Sequence, residues 1–318
     1  MRRRIALTAL ALWPGFTYAQ SYPSRPIRLI IPYPPGGGTD ALARPWAERM
    51  RQRLGQPLVI ENRGGAATNI GMELVARAAP DGQTLIINAD NVALFPHLYQ
   101  RLAYDLFRDF APITYLAQSP LVLGINPQVP ARNLREFVAL LKREPEKYSF
   151  ANPSIGSPDH LGYELFAREA GVRMIQVEYR GGGPALNDVL AGHVQLGVFS
   201  LGAVSSHFQA GTLRPLALLS PTRSAAAPEI PTTAEEGLPA VVNALRFLLF
   251  APAGTPRPII ETLHAATVAT LAEPALREQL TRAGFDIMTT TPEQTMEMLR
   301  AENQRWAPIL PGLNLRLD

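Results

Sequence analysis

Ser154, Ser157, Asp159 and His160 place hydroxyl, carboxyl and imidazole groups close together near the middle of the sequence. A serine beside a histidine base is the arrangement by which many hydrolases activate a nucleophile. Neither the Gly-x-Ser-x-Gly elbow nor the Ser-x-x-Lys motif surrounds these serines. Ser157 also precedes an expected helix, where serine is a favoured N-cap. We therefore favour a structural role and keep a hydrolase using Ser157 and His160 as an alternative.

Metal-binding patterns are weak in this sequence. His160 and Glu164 have the spacing of one helix face, but no His-Glu-x-x-His motif accompanies them. The five histidines are scattered, and there is no cysteine to form a disulfide, a thiol nucleophile or a thiolate metal site. We predict no catalytic residue, no metal and no other cofactor.

Two triple-glycine turns, Gly36–Gly38 and Gly181–Gly183, each follow an apolar strand and precede a helix. A helix N-terminus after a glycine-rich turn offers free backbone amides to an anion. Thr39 and Asp40 are expected to cap the first of these helices, and Pro184 to open the second. This pattern predicts a binding site for a small molecule that carries a carboxylate.

Nucleotide ligands do not fit these turns. The sequence has no Walker loop, because no glycine is followed by Lys-Ser or Lys-Thr, and the turn after Ile31 lacks the Gly-x-Gly-x-x-Gly spacing. Asp40 and Asp159 are expected to bond amides as caps without facing the anion. Arg63, Arg180 and Arg246 are the nearest cations, and we expect rim or packing roles for them.

Composition describes an exported globular protein. Residues 1–19 have a basic start, an apolar run and a Thr17-Tyr18-Ala19 cleavage pattern, which predicts a signal peptide. Its removal takes away three arginines and no acid, so the 30 basic and 27 acidic residues become 27 of each. A neutral mature chain without an arginine-rich stripe gives no indication of a nucleic-acid partner.

The elements that must position these turns alternate between strand and helix, which predicts a parallel α/β sheet flanked by helices. The triple glycine recurs in the same context, and two apolar strands, 121–125 and 245–251, each end at a proline. We therefore expect two lobes joined by two crossing strands that act as a hinge. The other predicted strands are 27–31, 58–61, 84–88, 148–151, 174–179, 194–199, 216–219 and 285–289; the helices are 41–54, 70–78, 134–142, 160–170, 184–190, 258–271, 275–283 and 292–306.

Several motifs together make the chain resemble the Bug (TctC-like) family of periplasmic solute-binding receptors of tripartite tricarboxylate transporters. These motifs are Tyr22-Pro23-Ser24-Arg25-Pro26-Ile27, Pro34-Pro35-Gly36-Gly37-Gly38-Thr39-Asp40, Glu61-Asn62-Arg63, Asn69-Ile70-Gly71, Gly156-Ser157, His160-Leu161, Tyr179-Arg180-Gly181, Pro184-Ala185-Leu186 and Ala251-Pro252-Ala253-Gly254-Thr255-Pro256. The resemblance implies a type II periplasmic-binding-protein fold that closes over a small carboxylate. It also implies that loop amides, small polar groups and waters hold the ligand.

Carried over by position, the resemblance implies ligand-binding residues in both lobes. They are Gly37, Gly38, Thr39, Ala66, Ala67, Asn69, Ser154, Gly156, Ser157, Gly181, Pro184 and Ser200. Ser200 replaces an aspartate found in many relatives that can recognise an amine, which favours a di- or tricarboxylate or an aromatic acid over an amino acid. The loop at 63–68 and the residues Arg246 and Leu248 also depart from the family pattern.

We therefore expect a periplasmic, monomeric, non-enzymatic receptor that delivers a small organic acid to a membrane permease or a sensor domain. The expected division is 1–19 for the signal peptide, 20–123 with 251–318 for lobe 1, and 124–250 for lobe 2. A sensor or scaffold protein with a degenerate cleft, plugged by side chains such as Arg246, is a further alternative.

Overall fold

A computed structural model describes residues 22–313 and 315. The predicted signal peptide therefore lies outside the described residues. Within the described ranges, no helix combines the length and the apolar character that a membrane span requires.

A single mixed sheet of ten strands forms the framework. The strands are β1 (Ile27–Ile31), β2 (Leu58–Asn62), β3 (Thr84–Ala89), β4 (Phe110–Ile125), β5 (Ser149–Asn152), β6 (Ile175–Glu178), β7 (Leu196–Ser200), β8 (Arg214–Leu218), β9 (Ala244–Pro252) and β10 (Asp286–Ile287). Their order is β2-β1-β3-β9-β4-β7-β5-β6, and β8 and β10 also pair with β4.

Helices flank this sheet. They are α1 (Gly38–Leu54), α2 (Asn69–Ala76), α3 (Phe95–Leu98), α4 (Leu106–Asp109), α5 (Leu134–Arg143), α6 (Pro158–Ala170), α7 (Gly182–Ala191), α8 (Leu201–Gln209), α9 (Arg257–Leu271), α10 (Pro274–Arg282) and α11 (Pro292–Trp306). Short 3-10 turns cover Ala66–Thr68, Asp90–Leu94 and Leu310–Leu313. The predicted α/β class is confirmed.

The long strand β4 joins the two halves of the sheet. Its residues 110–120 pair with β9, whereas residues 121–125 pair with β7 and β8. We call β1, β2, β3, β9, β10 and residues 110–120 the first half, and β5 to β8 with residues 121–125 the second half. Strand β9 pairs with β3 and β4, so it belongs to the first half. The predicted lobe boundaries stay a prediction.

Parallel pairing occurs within each half, where β1 lies between β2 and β3 and β5 lies between β6 and β7. The strands that join the halves pair antiparallel. The buried face of α1, with Trp46 and Met50, packs against Leu263 and Leu271 of α9. In the second half, Phe150 and Tyr163 stack with ring centroids 4.0 Å apart. Each half therefore has apolar packing beneath its glycine turn.

The predicted starts of α1, α6 and α7 were two or three residues too late, and α6 begins at Pro158. Helix α1 begins at Gly38 with Gly37 as N-cap, so Thr39 and Asp40 lie inside its first turn. Asp40 still accepts the Gly36 N–H at 2.9 Å, and it also pairs with Arg44. Helix α7 begins at Gly182, which makes Pro184 its third residue. Gly38 and Gly182 can open these helices because the first turn requires only helical φ and ψ values and no particular side chain.

Candidate functional site

The first glycine turn connects β1 to α1 and lies against the second half of the sheet. A Cβ at Gly38 would stand 3.1 Å from the Ser200 Oγ and 3.6 Å from the Phe247 ring. Only glycine therefore fits at Gly38 without a shift of its neighbours. Gly37 has an extended backbone, and a Cβ there would have no atom within 4 Å. The structure thus brings the predicted Gly38 and Ser200 together.

The loop before α2 has an unusual backbone. Ala66, Ala67 and Thr68 all have positive φ, at 46°, 47° and 83°. A left-handed conformation costs a non-glycine residue about 1–2 kcal/mol. Such strain persists where surrounding contacts fix it, and it is concentrated at functional sites. Here the Thr68 N–H donates to the Gly65 carbonyl at 3.1 Å, and Asn69 Oδ1 accepts the Tyr104 hydroxyl at 2.6 Å.

Asn88 connects this loop to the first glycine turn. It is the penultimate residue of β3 and is fully buried, and its Nδ2 donates to Thr68 Oγ1 at 3.2 Å. Its Oδ1 accepts the Tyr33 hydroxyl at 2.7 Å. Asn88 therefore links the first glycine turn to the loop before α2, and both of these turns are predicted to bind an anion. Sequence reasoning missed it, although a polar residue near the end of an apolar strand was a usable signal.

The second-half loop 153–157 holds the predicted Ser154, Gly156 and Ser157. Ser157 caps α6, because its Oγ accepts the His160 N–H at 3.2 Å. The Ser154 carbonyl accepts the Ser157 N–H at 3.1 Å, which closes the turn. The predicted cap at Ser157 is confirmed.

The His160 ring is fully engaged and does not act on Ser157. Its Nδ1 accepts the Gly156 N–H at 3.0 Å, and its Nε2 lies 3.3 Å from the Glu164 carboxylate. These contacts assign the ring proton to Nε2. Because the base atom already accepts an amide, the pair lacks the Ser–His contact that a hydrolase needs.

The second glycine turn faces the first where the two halves of the sheet meet, a boundary that we call the seam. The Gly181 N–H donates to the Pro153 carbonyl at 2.8 Å, and a Cβ at Gly181 would stand 3.7 Å from the Pro34 ring. Pro184 is exposed in the first turn of α7. Turns from both halves therefore lie near one another: 36–38 and 64–69 from the first, 153–157 and 181 from the second.

Asp159 differs from its predicted role as a cap. Ser157 is the N-cap of α6, and Asp159 lies partly exposed in the first turn. Burial raises the pKa of Asp159 to about 7, against the lowering effect of a hydrogen bond from its own backbone amide. Burial also raises the pKa of Tyr33, and the nearby carboxylates of Asp159 and Asp90 raise it further. Asp159 therefore lies near Tyr33 of the first half, and no ion pair is found for it within the described residues.

Arg246 forms ion pairs with two acidic side chains. Its side chain is 18% exposed and lies 2.5 Å from Asp90 and 3.4 Å from Glu302. The Trp306 Nε1 also donates to Glu302, at 2.6 Å. Burial raises the pKa of Asp90, although Arg246 opposes this, and the carboxylate of Asp90 raises the pKa of Arg246.

The other predicted cations lie at the surface. Arg63 is exposed and pairs with Glu61 at 3.2 Å, and Arg180 is exposed. A cavity of about 840 Å³ lies elsewhere, between α9 and α11, and includes Thr255, Ile260 and Met296 in its wall. Among the described residues, no group of three or more side chains could hold a metal ion.

A family model described as the tripartite tricarboxylate transporter family receptor matches residues 42–315. The chain belongs to this receptor family. BugT of Bordetella pertussis is 37% identical to it over 301 residues, which cover 94% of this chain and 92% of BugT. The resemblance seen in the sequence is thereby confirmed.

Solved structures of the receptor family superpose closely on this chain. The periplasmic binding protein BugD does so with a TM-score of 0.88 at 30% identity, covering 93% of this chain and 99% of BugD. An R. palustris protein with adipate superposes with a TM-score of 0.86 at 32% identity, covering 90% of this chain and 96% of that protein. MatC from Rhodopseudomonas palustris with bound malate superposes with a TM-score of 0.82 at 31% identity, covering 90% of this chain and 98% of MatC.

Membership of the receptor family decides the broad class. The chain is a solute-binding protein of a periplasmic receptor family with a two-lobed fold. The prediction that it is not an enzyme is confirmed by the family, and the hydrolase alternative is wrong.

Proposed function

We propose that the protein is exported by its N-terminal segment and captures a small organic acid between its two lobes. The acid would be a di- or tricarboxylate or an aromatic carboxylate, delivered to the permease of a tripartite tricarboxylate transporter or to a sensor domain. The observation that carries this proposal is the convergence of four amide-rich turns from both halves. Neighbours solved with adipate and malate support a carboxylate ligand.

Backbone groups alone can supply the affinity. A hydrogen bond to a charged group contributes about 1.5–3 kcal/mol net, and a helix N-terminus adds roughly 0.3–1 kcal/mol. Micromolar binding requires about 8 kcal/mol. Four or five amide or hydroxyl contacts therefore suffice, so a buried arginine is unnecessary. This agrees with the placement of Arg246, whose guanidinium is already held by two carboxylates.

The proposed ligand contacts are the twelve positions carried over from the family resemblance. In the first half they are Gly37, Gly38, Thr39, Ala66, Ala67 and Asn69. In the second half they are Ser154, Gly156, Ser157, Gly181, Pro184 and Ser200. The acid would be bound when amides of both sets point at its carboxylates, which couples binding to closure of the lobes.

Asp159 adds a condition on the ligand. An anionic Asp159 repels a carboxylate, whereas a neutral Asp159 donates a hydrogen bond to one. Since burial raises the pKa of Asp159 to about 7, a simple dicarboxylate should bind more tightly at pH 6 than at pH 8. A ligand hydroxyl that donates to the Asp159 carboxylate would reverse this dependence.

Thermal-shift titration with a panel of di-, tri- and aromatic carboxylates tests the proposal. We expect at least one acid to raise the melting temperature in a saturable way. Gly37→Ala should fold normally, since a Cβ there meets no atom within 4 Å, but it should weaken that shift by narrowing the anion site. Gly312→Ala is the matched control, because a Cβ at this remote glycine is equally free. Absence of any stabilising acid would contradict the proposal.

A further inference from the structure

Side-chain hydrogen bonds join the two halves at several places: the Gly202 N–H donates to Ser119 Oγ at 3.1 Å, Asn243 Nδ2 donates to the Pro158 carbonyl at 2.8 Å, and a third bond involves Asn91. Asn91 follows β3 in the first half, and its Nδ2 donates to the Gly156 carbonyl at 3.0 Å. Gly156 lies before α6 in the second half, on the loop that contains Ser154 and Ser157. The bond therefore links the segment after β3 directly to one of the proposed ligand loops.

Both ends of this bond are fixed by further polar contacts. Asp90, the neighbour of Asn91, is paired with Arg246 of β9 at 2.5 Å. On the other side, the Gly156 N–H donates to His160 Nδ1 at 3.0 Å, and His160 contacts Glu164 of the same helix. These contacts hold the backbone segments that carry the two partners. A well-positioned donor thus meets a well-positioned acceptor.

The Asn91 amide is only half satisfied in this arrangement. Asn91 is 7% exposed, and its Oδ1 is buried without a donor among the described residues. A buried acceptor that loses water opposes the conformation that buries it. Opening of the lobes would hydrate this oxygen while breaking the bond to Gly156. The contact therefore favours the closed arrangement only modestly, which suits a receptor that must open for its ligand.

We infer that Asn91 is an interlobe latch, which holds the lobes together through Gly156 before any ligand enters. The latch is independent of ligand identity, because every contact that forms it lies within the chain. It also gives the departure at Arg246 a function, since Arg246 positions the Asp90–Asn91 segment. The anion-binding turns would then be partly preorganised, which lowers the cost of closure on the ligand.

Interlobe distances in the ligand-free protein test this inference. The natural sequence has no cysteine, so spin labels can be attached only at introduced ones, here at the exposed positions Arg63 and Ala139. The labelled protein is unfolded, freed of ligand, refolded and measured by pulsed electron resonance. We expect Asn91→Ala to raise the ratio of long to short distances by roughly two- to twelvefold, the range for one net hydrogen bond.

Two further variants make the result specific. Asn91→Asp keeps the size but replaces the donor with a charge beside Asp90 and the Gly156 carbonyl, so it should open the lobes at least as far. Asn126→Ala is the matched control, because its Nδ2 bonds the Val189 carbonyl at 2.8 Å within the second half. It should leave the distances unchanged.

Equal distance distributions in the unsubstituted protein and both Asn91 variants, with normal circular dichroism, would overturn the inference. So would an equal opening in Asn126→Ala. No ligand enters this experiment, so its failure would leave the proposed carboxylate binding untouched.

Discussion

Replacing Arg246 with leucine should destabilise the protein strongly, and more at alkaline than at acid pH. The substitution leaves Asp90 and Glu302, whose side chains are 5% and 12% exposed, without the cation between them. Removing one partner of a buried ion pair costs about 3–5 kcal/mol, because a charge stays buried without compensation. That loss is a large part of the roughly 5–15 kcal/mol that stabilises a typical domain.

The pH dependence follows from Asp90. Burial already raises its pKa, and loss of Arg246 removes the opposing attraction. An acid with a raised pKa binds more protons in the folded than in the unfolded state. Its contribution to stability is full below the unfolded pKa of about 3.9 and is lost as the pH rises through the folded pKa. The deficit of Arg246→Leu should therefore be larger at pH 8 than at pH 5.

Urea unfolding, followed by fluorescence and circular dichroism at both pH values, measures this deficit where the two probes coincide. Arg305→Leu is the control, since this arginine contacts Glu302 at 3.2 Å but is 37% exposed, and it should cost less than about 1 kcal/mol. Adding Asp90→Asn to Arg246→Leu should recover part of the loss. A deficit below about 1 kcal/mol, or one equal at both pH values, would show that Arg246 does not neutralise a buried charge on Asp90.

Two further perturbations address the seam. Asp159→Asn should stabilise the protein at pH 8. A pKa raised to about 7 corresponds to at most about 4 kcal/mol of lost stability, and the gain should be smaller than this because the carboxyl is partly exposed. The gain should vanish below about pH 4, where Asp159 is protonated in both the folded and the unfolded protein. Equal thermal stability of the two proteins at pH 8 would contradict the raised pKa. Ala67→Gly should relieve the strain of a left-handed backbone and raise the free energy of unfolding in urea by up to about 1 kcal/mol. Ala265→Gly, at an exposed position of α9, should lower that free energy by about the same amount. Equal losses in both would show that the backbone at Ala67 is unstrained.

Local pattern was sufficient where an element is determined by its own residues. The apolar, β-branched run of β1 and the alternation of strands with helices predicted the α/β class. Helix α11 was likewise predicted at 292–306, and the structure adds a capping box in which Thr291 Oγ1 accepts the Gln294 N–H and the Thr291 N–H donates to Gln294 Oε1. These features depend on neighbours in sequence, so they are readable without the fold.

Among the elements that escaped prediction, which include α3 and α4, the first part of β4 and helix α8 have sequences that resemble other structures. The first part of β4 contains Pro112 and Pro120, which argue against an interior strand. The structure accommodates this stretch with irregular pairing to β9 between Pro112 and Thr114. Helix α8 follows β7 without a loop, as Ser200 ends the strand and Leu201 starts the helix. No Gly or Pro marked that boundary.

The site was predictable in its turns but not in its connections. The glycine turns and the cap at Ser157 were predicted from local chemistry, and the structure brings Gly38 beside Ser200. The contact between Arg246 and Asp90 joins residues 156 positions apart, and that between Asn91 and Gly156 spans 65. Such pairs arise from the topology of the sheet, which no local pattern encodes.

Amide NMR of the deuterated protein, titrated with the carboxylate panel, distinguishes a ligand held between the lobes from one held elsewhere. We expect one acid to cause saturable shifts at amides of both halves, within 36–39, 66–69, 154–157 and 181. Saturable shifts confined to another surface, such as the cavity between α9 and α11, would contradict binding between the lobes, as would the absence of saturable shifts with every acid.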